Sequence, residues 1–307
     1  MSKAPRPGAE AAPRRPHGGT AGAFLKATRP RQWVKNVLVL AAPAASGLLL
    51  EGDVLLGAAL AFVAFCLVSG GVYLFNDAID VEEDRAHPTK RYRPVAAGWV
   101  PVPVAMVGAG VLLACALAVA AAAGRDLVLV IGAYAVINVA YCTVLKNEPV
   151  VDIFVIASGF VLRAVAGGVA ADIALSQWFL LIASFGSLYM AAGKRYGEIR
   201  QLGEGESATR KSLARYTATY LRFVWSVTAA LLIMSYALWA FQIGERSEAA
   251  TLWAELSIAP FIFAVLRYAV DIDAGRATEP EEIALADRVL QVAALVWVAA
   301  VATAVYS

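Results

Sequence analysis

Stretches of about 20 predominantly apolar residues recur nine times along this chain, at roughly 34–51, 53–75, 101–123, 126–145, 150–171, 176–193, 219–243, 250–270 and 285–306. A helix of that length crosses the ~30 Å hydrocarbon core of a bilayer. A chain built almost wholly of such runs, 60% hydrophobic and only 16% charged, is too apolar for water, since soluble domains carry about a quarter charged residues. The expected architecture is an all-α integral membrane protein of nine transmembrane helices. Pro43 interrupts the first run, which a membrane helix tolerates where neighbours satisfy the freed backbone groups. Residues 1–28 are rich in Pro, Gly, Ala and Arg and lack the apolar block of a signal peptide, so they read as a disordered basic tail ahead of one catalytic domain at 29–307.

The charges sort by side. With the amino terminus placed in the cytoplasm, 23 of the 26 Lys and Arg fall on inner segments, Arg125 and Arg246 fall outside, and Arg163 lies within a span. That asymmetry predicts a cytoplasmic amino terminus, an external carboxyl terminus and a plasma-membrane location. The net charge of +2 leaves no basic surplus to coat a nucleic acid. Cys66, Cys115 and Cys142 sit inside apolar runs without CxxC spacing and read as small buried hydrophobes. Chemistry is expected at the inner face, where two long loops, 76–100 and 194–218, hold the charge.

The first of these loops opens NDAIDVEEDRAHPTKRYRPVAAG at 76–98. Helical continuation past Phe75 puts Asp77, Asp80 and Asp84 on one stripe, spaced i, i+3 and i+7. Three carboxylates so placed repel one another unless cations sit among them, and Mg²⁺ favours carboxylate oxygens combined with substrate phosphate. Asn76 adds a neutral oxygen. Arg85, Lys90, Arg91 and Arg93 follow at once, cations suited to bare phosphate oxygens. The chain has no GxxxxGK[ST], so the pattern is a diphosphate site without a phosphate-binding loop.

The stretch NDxxDxxxDRxHPxKRxRP resembles the first aspartate-rich motif of the UbiA superfamily of intramembrane prenyltransferases, and the likeness extends over nearly everything after residue 28. It implies a ring of nine transmembrane helices around a central cavity, with Asn76, Asp77, Asp80 and Asp84 holding Mg²⁺ against a donor diphosphate. Members commonly carry a second aspartate motif; here the place is taken by GKRYGEIRQLGEGE at 193–206, with Lys194, Arg195 and Arg200 and a lone helically spaced acid, Glu198. Bases in place of acids suit an anion met directly. RPRQWVKN at 29–36 and LKNEPVVDIFVIASGFVLRAVAGG at 145–168 are similar to the phosphoribosyl-transferring subgroup of actinobacteria. That resemblance implies 5-phosphoribosyl 1-diphosphate (PRPP) as donor, decaprenyl or another polyprenyl phosphate as acceptor, and a place in building the arabinose donor of the cell wall.

Further candidates follow from position. Tyr141 and Lys146 look like the family's tyrosine and basic pair beside the diphosphate, with one residue of extra spacing. Asp152 and Arg163, eleven residues apart, lie about 20° apart around the fifth span; Asp152 is expected to orient ribose hydroxyls or a cation such as Lys146. Arg163 is open between helix carbonyls, Asp152 and lipid phosphate. Arg29, Lys35 and Asn36 read either as interfacial anchors or as contacts to the acceptor phosphate. Lys194 and Arg195 are assigned to the donor's 5-phosphate. The bilayer is the expected surrounding, a homo-oligomer is admitted, and the rival enzyme reading is transfer of an isoprenyl group to an aromatic acceptor.

Overall fold

A computed structural model describes residues 19–206, 215–277, 283 and 286–306, and every regular element among them is helical. Helix α1 (Gly19–Ala27) buries Ala23 and Ala27 and lays the Phe24 ring over Gly108, where any Cβ would meet ring carbon at 2.5 Å. This corrects the expected tail: 19–27 is a packed helix, because its alanines and Phe24 give it an apolar side. Residues 1–18 lie outside the described residues.

Next, Pro30–Leu40 winds as a 3₁₀ helix and runs directly into α2 (Ala41–Ser46). At rises of about 2.0 and 1.5 Å per residue, the 11 residues of the first and 6 of the second cover about 31 Å, the hydrocarbon thickness. The expected first span is thus a compound element and not one α-helix. The rest of the chain forms α3 (Gly52–Ile79), α4 (Val81–Ala86), α5 (Val102–Ala123), α6 (Arg125–Thr143), α7 (Val151–Ala170), α8 (Gln177–Glu206), α9 (Ala218–Gly244), α10 (Glu248–Asp273) and α11 (Arg288–Tyr306). Among the described residues, seven helices are long and apolar enough to cross a membrane: α3, α5, α6, α7, α9, α10 and α11. The expected sixth span corresponds to α8, 30 residues long, whose second half is polar; the inner loop expected from residue 194 is therefore helical as far as Glu206.

Consecutive long helices pack on one another from α5 through α11, α3 packs on α5, and α11 reaches α2, so the order closes on itself. Val305 of α11 touches Gly47 just after α2. The 3₁₀ segment lies inside this order against α3 and α7. Small residues permit the closest crossings, as is usual where apolar burial gives helices no reason to associate in lipid. A Cβ on Gly167 would fall 1.7 Å from the Val39 carbonyl oxygen, so the 3₁₀ backbone presses directly on α7. Large apolar side chains such as Leu56, Val107, Val136, Met234, Leu266 and Leu295 point outward. Cys115 is also exposed, against the expectation that all three cysteines are buried.

Candidate active site

The acidic motif straddles a break in helix. α3 ends at Ile79, Asp80 takes φ −87° and ψ 12°, and α4 begins at Val81. The single stripe expected of an unbroken helix is therefore split. Asp77 and Asp84, both buried, share Arg93, whose Nη1 donates to Asp84 Oδ2 at 2.7 Å and to Asp77 Oδ1 at 3.3 Å. Arg29 also donates to Asp77 Oδ1 while stacking 4.6 Å from the Tyr73 ring centre. Asp80 turns instead to Lys146, 2.7 Å away. Burial pulls the Lys146 ammonium down, but the hydrogen bond and charge of Asp80 outweigh it and hold the group above the ordinary lysine range. Asn76 Oδ1 accepts from the Cys142 thiol at 3.2 Å.

One atom stands apart. Asp77 Oδ2 is buried and has no hydrogen-bond partner among the described residues. A carboxylate oxygen in that state is costly unless something positive reaches it. Asp77, Arg29 and Arg93 line a pocket of about 240 Å³ together with Lys26, Thr89 and Tyr92.

A second cluster adjoins the first through α6, whose consecutive residues Tyr141 and Cys142 touch one cluster each. Arg195 on α8 donates from Nε to Asp152 Oδ2 at 2.8 Å, from Nη1 to Glu198 Oε2 at 2.6 Å and from Nη2 to the Tyr141 hydroxyl at 3.2 Å. Arg195 is 1% and Asp152 0% exposed. The Tyr216 hydroxyl donates to Asp152 Oδ1 and accepts from the Val150 backbone N–H. Burial and the Asp152 carboxylate push this hydroxyl's pKa well up, so it stays a donor. Val150 itself sits at φ 68°, unusual for a β-branched residue and placed where the chain enters α7.

A third group lies deeper. Arg163, 6% exposed, donates to Asn36 Oδ1 at 2.8 Å, the Gly159 carbonyl at 2.6 Å and the Tyr134 hydroxyl at 3.2 Å, with Phe65, Tyr134 and Phe160 rings around its guanidinium. Asn36 in turn donates to Cys66 Sγ at 3.2 Å.

A model of the UbiA prenyltransferase family matches residues 37–285. The chain belongs to the UbiA prenyltransferase family. It is 51% identical over 297 residues to a protein of Corynebacterium glutamicum named decaprenyl-phosphate phosphoribosyltransferase, covering 95% of this chain and 90% of that one. A Mycobacterium tuberculosis protein of the same name is likewise 51% identical, covering 94% and 96%. Among solved structures, a UbiA homolog from Archaeoglobus fulgidus bound to DMAPP and Mg²⁺ superposes with a TM-score of 0.71 at 18% identity, over 92% of this chain and 99% of that one. The fold is therefore UbiA-like.

Set on this UbiA frame, the sequence candidates divide. Asn76, Asp77, Asp80, Asp84, Arg93 and Lys146 come together at the end of α3. Tyr141, Asp152, Arg195 and Glu198 form the buried cluster beside them. Asp152 does not meet Lys146 as expected; it is consumed by Arg195 and Tyr216. Arg85 turns to Glu82 at 2.7 Å and to the Ala96 carbonyl at 3.3 Å, and Arg91 to the Tyr92 hydroxyl at 2.7 Å, away from the acids. Lys90, Lys35 and Lys194 are half-buried and line none of the pocket described above. Asn36 is buried and pairs with Arg163 inside the molecule, so it is not an interfacial anchor; Arg163, open in sequence between helix carbonyls, Asp152 and lipid phosphate, donates to the Gly159 carbonyl. Lys26, Tyr73, Tyr134 and Tyr216 were not singled out from sequence. A tyrosine or a lone lysine carries no local signal; only the fold brings Lys26 beside Asp77, Tyr73 to Arg29, Tyr134 to Arg163 and Tyr216 to Asp152.

Whether these residues suit a divalent cation is a question of donors. Among the described residues, no three His, Cys, Asp or Glu side chains already converge as a metal cage. Mg²⁺ keeps waters and phosphate oxygens and needs only one or two carboxylates. The unpartnered Asp77 Oδ2 offers one such oxygen at the pocket, and Asp84, which shares Arg93 with it, is the neighbouring carboxylate.

Proposed function

We propose that this chain is a Mg²⁺-dependent, multi-pass membrane phosphoribosyltransferase. It moves 5-phosphoribose from PRPP to decaprenyl phosphate with release of diphosphate, in the making of arabinan precursors. The observation that carries the reading is the 51% identity, over nearly the full length of both chains, to proteins named for that transfer. The fold is nine spans, with the compound 3₁₀–α2 element and α8 joining α3, α5, α6, α7, α9, α10 and α11 in a ring around a central cavity. The acidic motif faces the cytoplasm.

The bound metal, held by Asp77 and Asp84 with Asn76 and Asp80 nearby, would neutralise charge on the leaving diphosphate. The protein's part is to place cations where that charge grows. Arg93 and Lys146 sit on the carboxylates at contact distance, so their donors are preorganised and need little rearrangement as the bond to the anomeric carbon lengthens. The acceptor is a phosphate monoester, already ionised at neutral pH, so no general base is required. This agrees with a chain whose two histidines are His17 in the amino-terminal region and His87 in the motif loop. One displacement at the α-configured anomeric carbon inverts it, giving a β-linked lipid product. The buried Arg195, Asp152, Glu198 and Tyr141 set the wall of the site and fix α6, α7 and α8 relative to one another.

Membranes holding the protein, given labelled PRPP, decaprenyl phosphate and Mg²⁺, are expected to move label into the lipid phase with one diphosphate released per product, and chelation is expected to stop it. Turnover of an isoprenyl diphosphate with an aromatic acid, without turnover of PRPP, would replace this reading with the ordinary prenyl transfer. A product of retained configuration would exclude single displacement.

A further inference from the structure

Helix α1 ends beside the acidic motif, and its Lys26 forms one wall of the 240 Å³ pocket shared with Arg29, Asp77, Thr89, Tyr92 and Arg93. Three cations and one carboxylate line this pocket, so 3 − 1 leaves an excess of two positive charges. The cations are not equivalent. Arg93 divides its guanidinium between Asp77 and Asp84, and Arg29 is engaged on Asp77. Lys26 is exposed, stands 5.4 Å from the centre of the Trp99 ring, and has no carboxylate in ion-pair range among the described residues. The turn that presents it is defined: the Arg29 N–H donates to the Lys26 carbonyl at 3.1 Å, and Arg29 takes φ 55°, ψ 62°. A left-handed conformation at a non-glycine residue is a local cost held by its surroundings, and such costs gather at ligand sites. The buried, unpartnered Asp77 Oδ2 belongs to the one carboxylate among these lining residues.

We propose that Lys26 and Arg29, with the turn carrying Thr89 and Tyr92, seat the phosphate ester at the end of the donor remote from its reacting carbon, the 5-phosphate of the phosphoribosyl group. The inference rests on the phosphoribosyl reading above. A phosphate monoester far from the metal needs cations of its own, and Lys26 is the lining cation not already committed to an acid. The sequence-based assignment of this phosphate to Lys194 and Arg195 gives way, because Arg195 is closed in by Asp152, Glu198 and Tyr141. Arginine is the stronger phosphate fork, but a flexible lysine at a rim serves as a point charge.

The test compares two inhibitors of PRPP turnover in membranes: ribose 5-phosphate, which has the remote phosphate alone, and inorganic diphosphate with Mg²⁺, which has the leaving group alone. Lys26→Gln is expected to raise the inhibition constant for ribose 5-phosphate roughly tenfold while that for Mg-diphosphate stays within about twofold. Lys26→Arg is expected to recover most of the loss, and Lys194→Gln to leave ribose 5-phosphate inhibition where it was. Equal weakening of both inhibitors in Lys26→Gln, no weakening of either, or weakening of ribose 5-phosphate by Lys194→Gln instead, overturns the proposal with the phosphoribosyl reading intact. A wild-type protein that does not consume PRPP overturns both.

Discussion

Asp77 and Asp152 are both buried aspartates facing arginine, yet they do different work. Asp77 keeps one oxygen unsatisfied at a pocket, whereas Asp152 spends both oxygens on Arg195 and Tyr216. Asp77→Asn is expected to lower kcat/KM by about 100-fold or more, with the protein's amount in membranes and its thermal midpoint close to wild type. Asp152→Asn breaks a buried pair from one side, which costs about 3 kcal/mol; the measurement is a lowered unfolding temperature in detergent, with activity falling in step with the folded fraction. Should Asp152→Asn fold normally but lose PRPP affinity, the cluster would belong to the substrate and not to the frame. The acids were legible as a set because their spacing is tight and local. Lys146, 66 residues from Asp80, is placed beside the diphosphate only by the family resemblance, and Arg29, 48 residues from Asp77, is not matched to an acid at all; at such separations no periodicity operates and the packing of the helices decides who meets whom.

At the scale of elements, apolar run length located α3, α5, α6, α7, α9, α10 and α11, because a bilayer fixes how long such a helix must be. It misjudged the first span for a physical reason. A 3₁₀ winding rises further per residue, so the 17 residues 30–46 reach about 31 Å, a property that hydropathy does not carry. What holds that segment is its contact with α7: the Val39 carbonyl on Gly167 and Asn36 on Arg163. Gly167→Ala must push the two elements apart, since its Cβ would lie 1.7 Å from the carbonyl oxygen, and overpacking of this kind costs about 1–3 kcal/mol. Because Arg29 opens the 3₁₀ segment, the displacement is expected to reach Asp77 and raise KM for the donor severalfold, beyond the loss of stability. An unchanged KM in the folded fraction would show that Arg29 is held from α1 alone.

For the whole molecule, the two ends of the ring fix a relation between faces. Arg29, at one end of the 3₁₀ segment, touches the acidic motif; Gly47, some 31 Å of helix later, touches Val305 near the end of α11. We expect the carboxyl terminus to emerge opposite the site, with the site on the cytoplasmic face that the charge asymmetry predicts. In intact spheroplasts, an epitope after residue 307 is expected to be cut by added protease and one before residue 1 to be protected. The reverse pattern would invert the proposed orientation.

The seam between α2 and α11 bears on biogenesis. Its two sides lie far apart in the sequence, so α2 has no α11 to pack on until residues 288–306 have been made. Nascent chains halted before residue 288 would present the unmatched flank of α10 and the bare side of α2 to lipid. Closure of the seam between α2 and α11 is thus a late step of assembly.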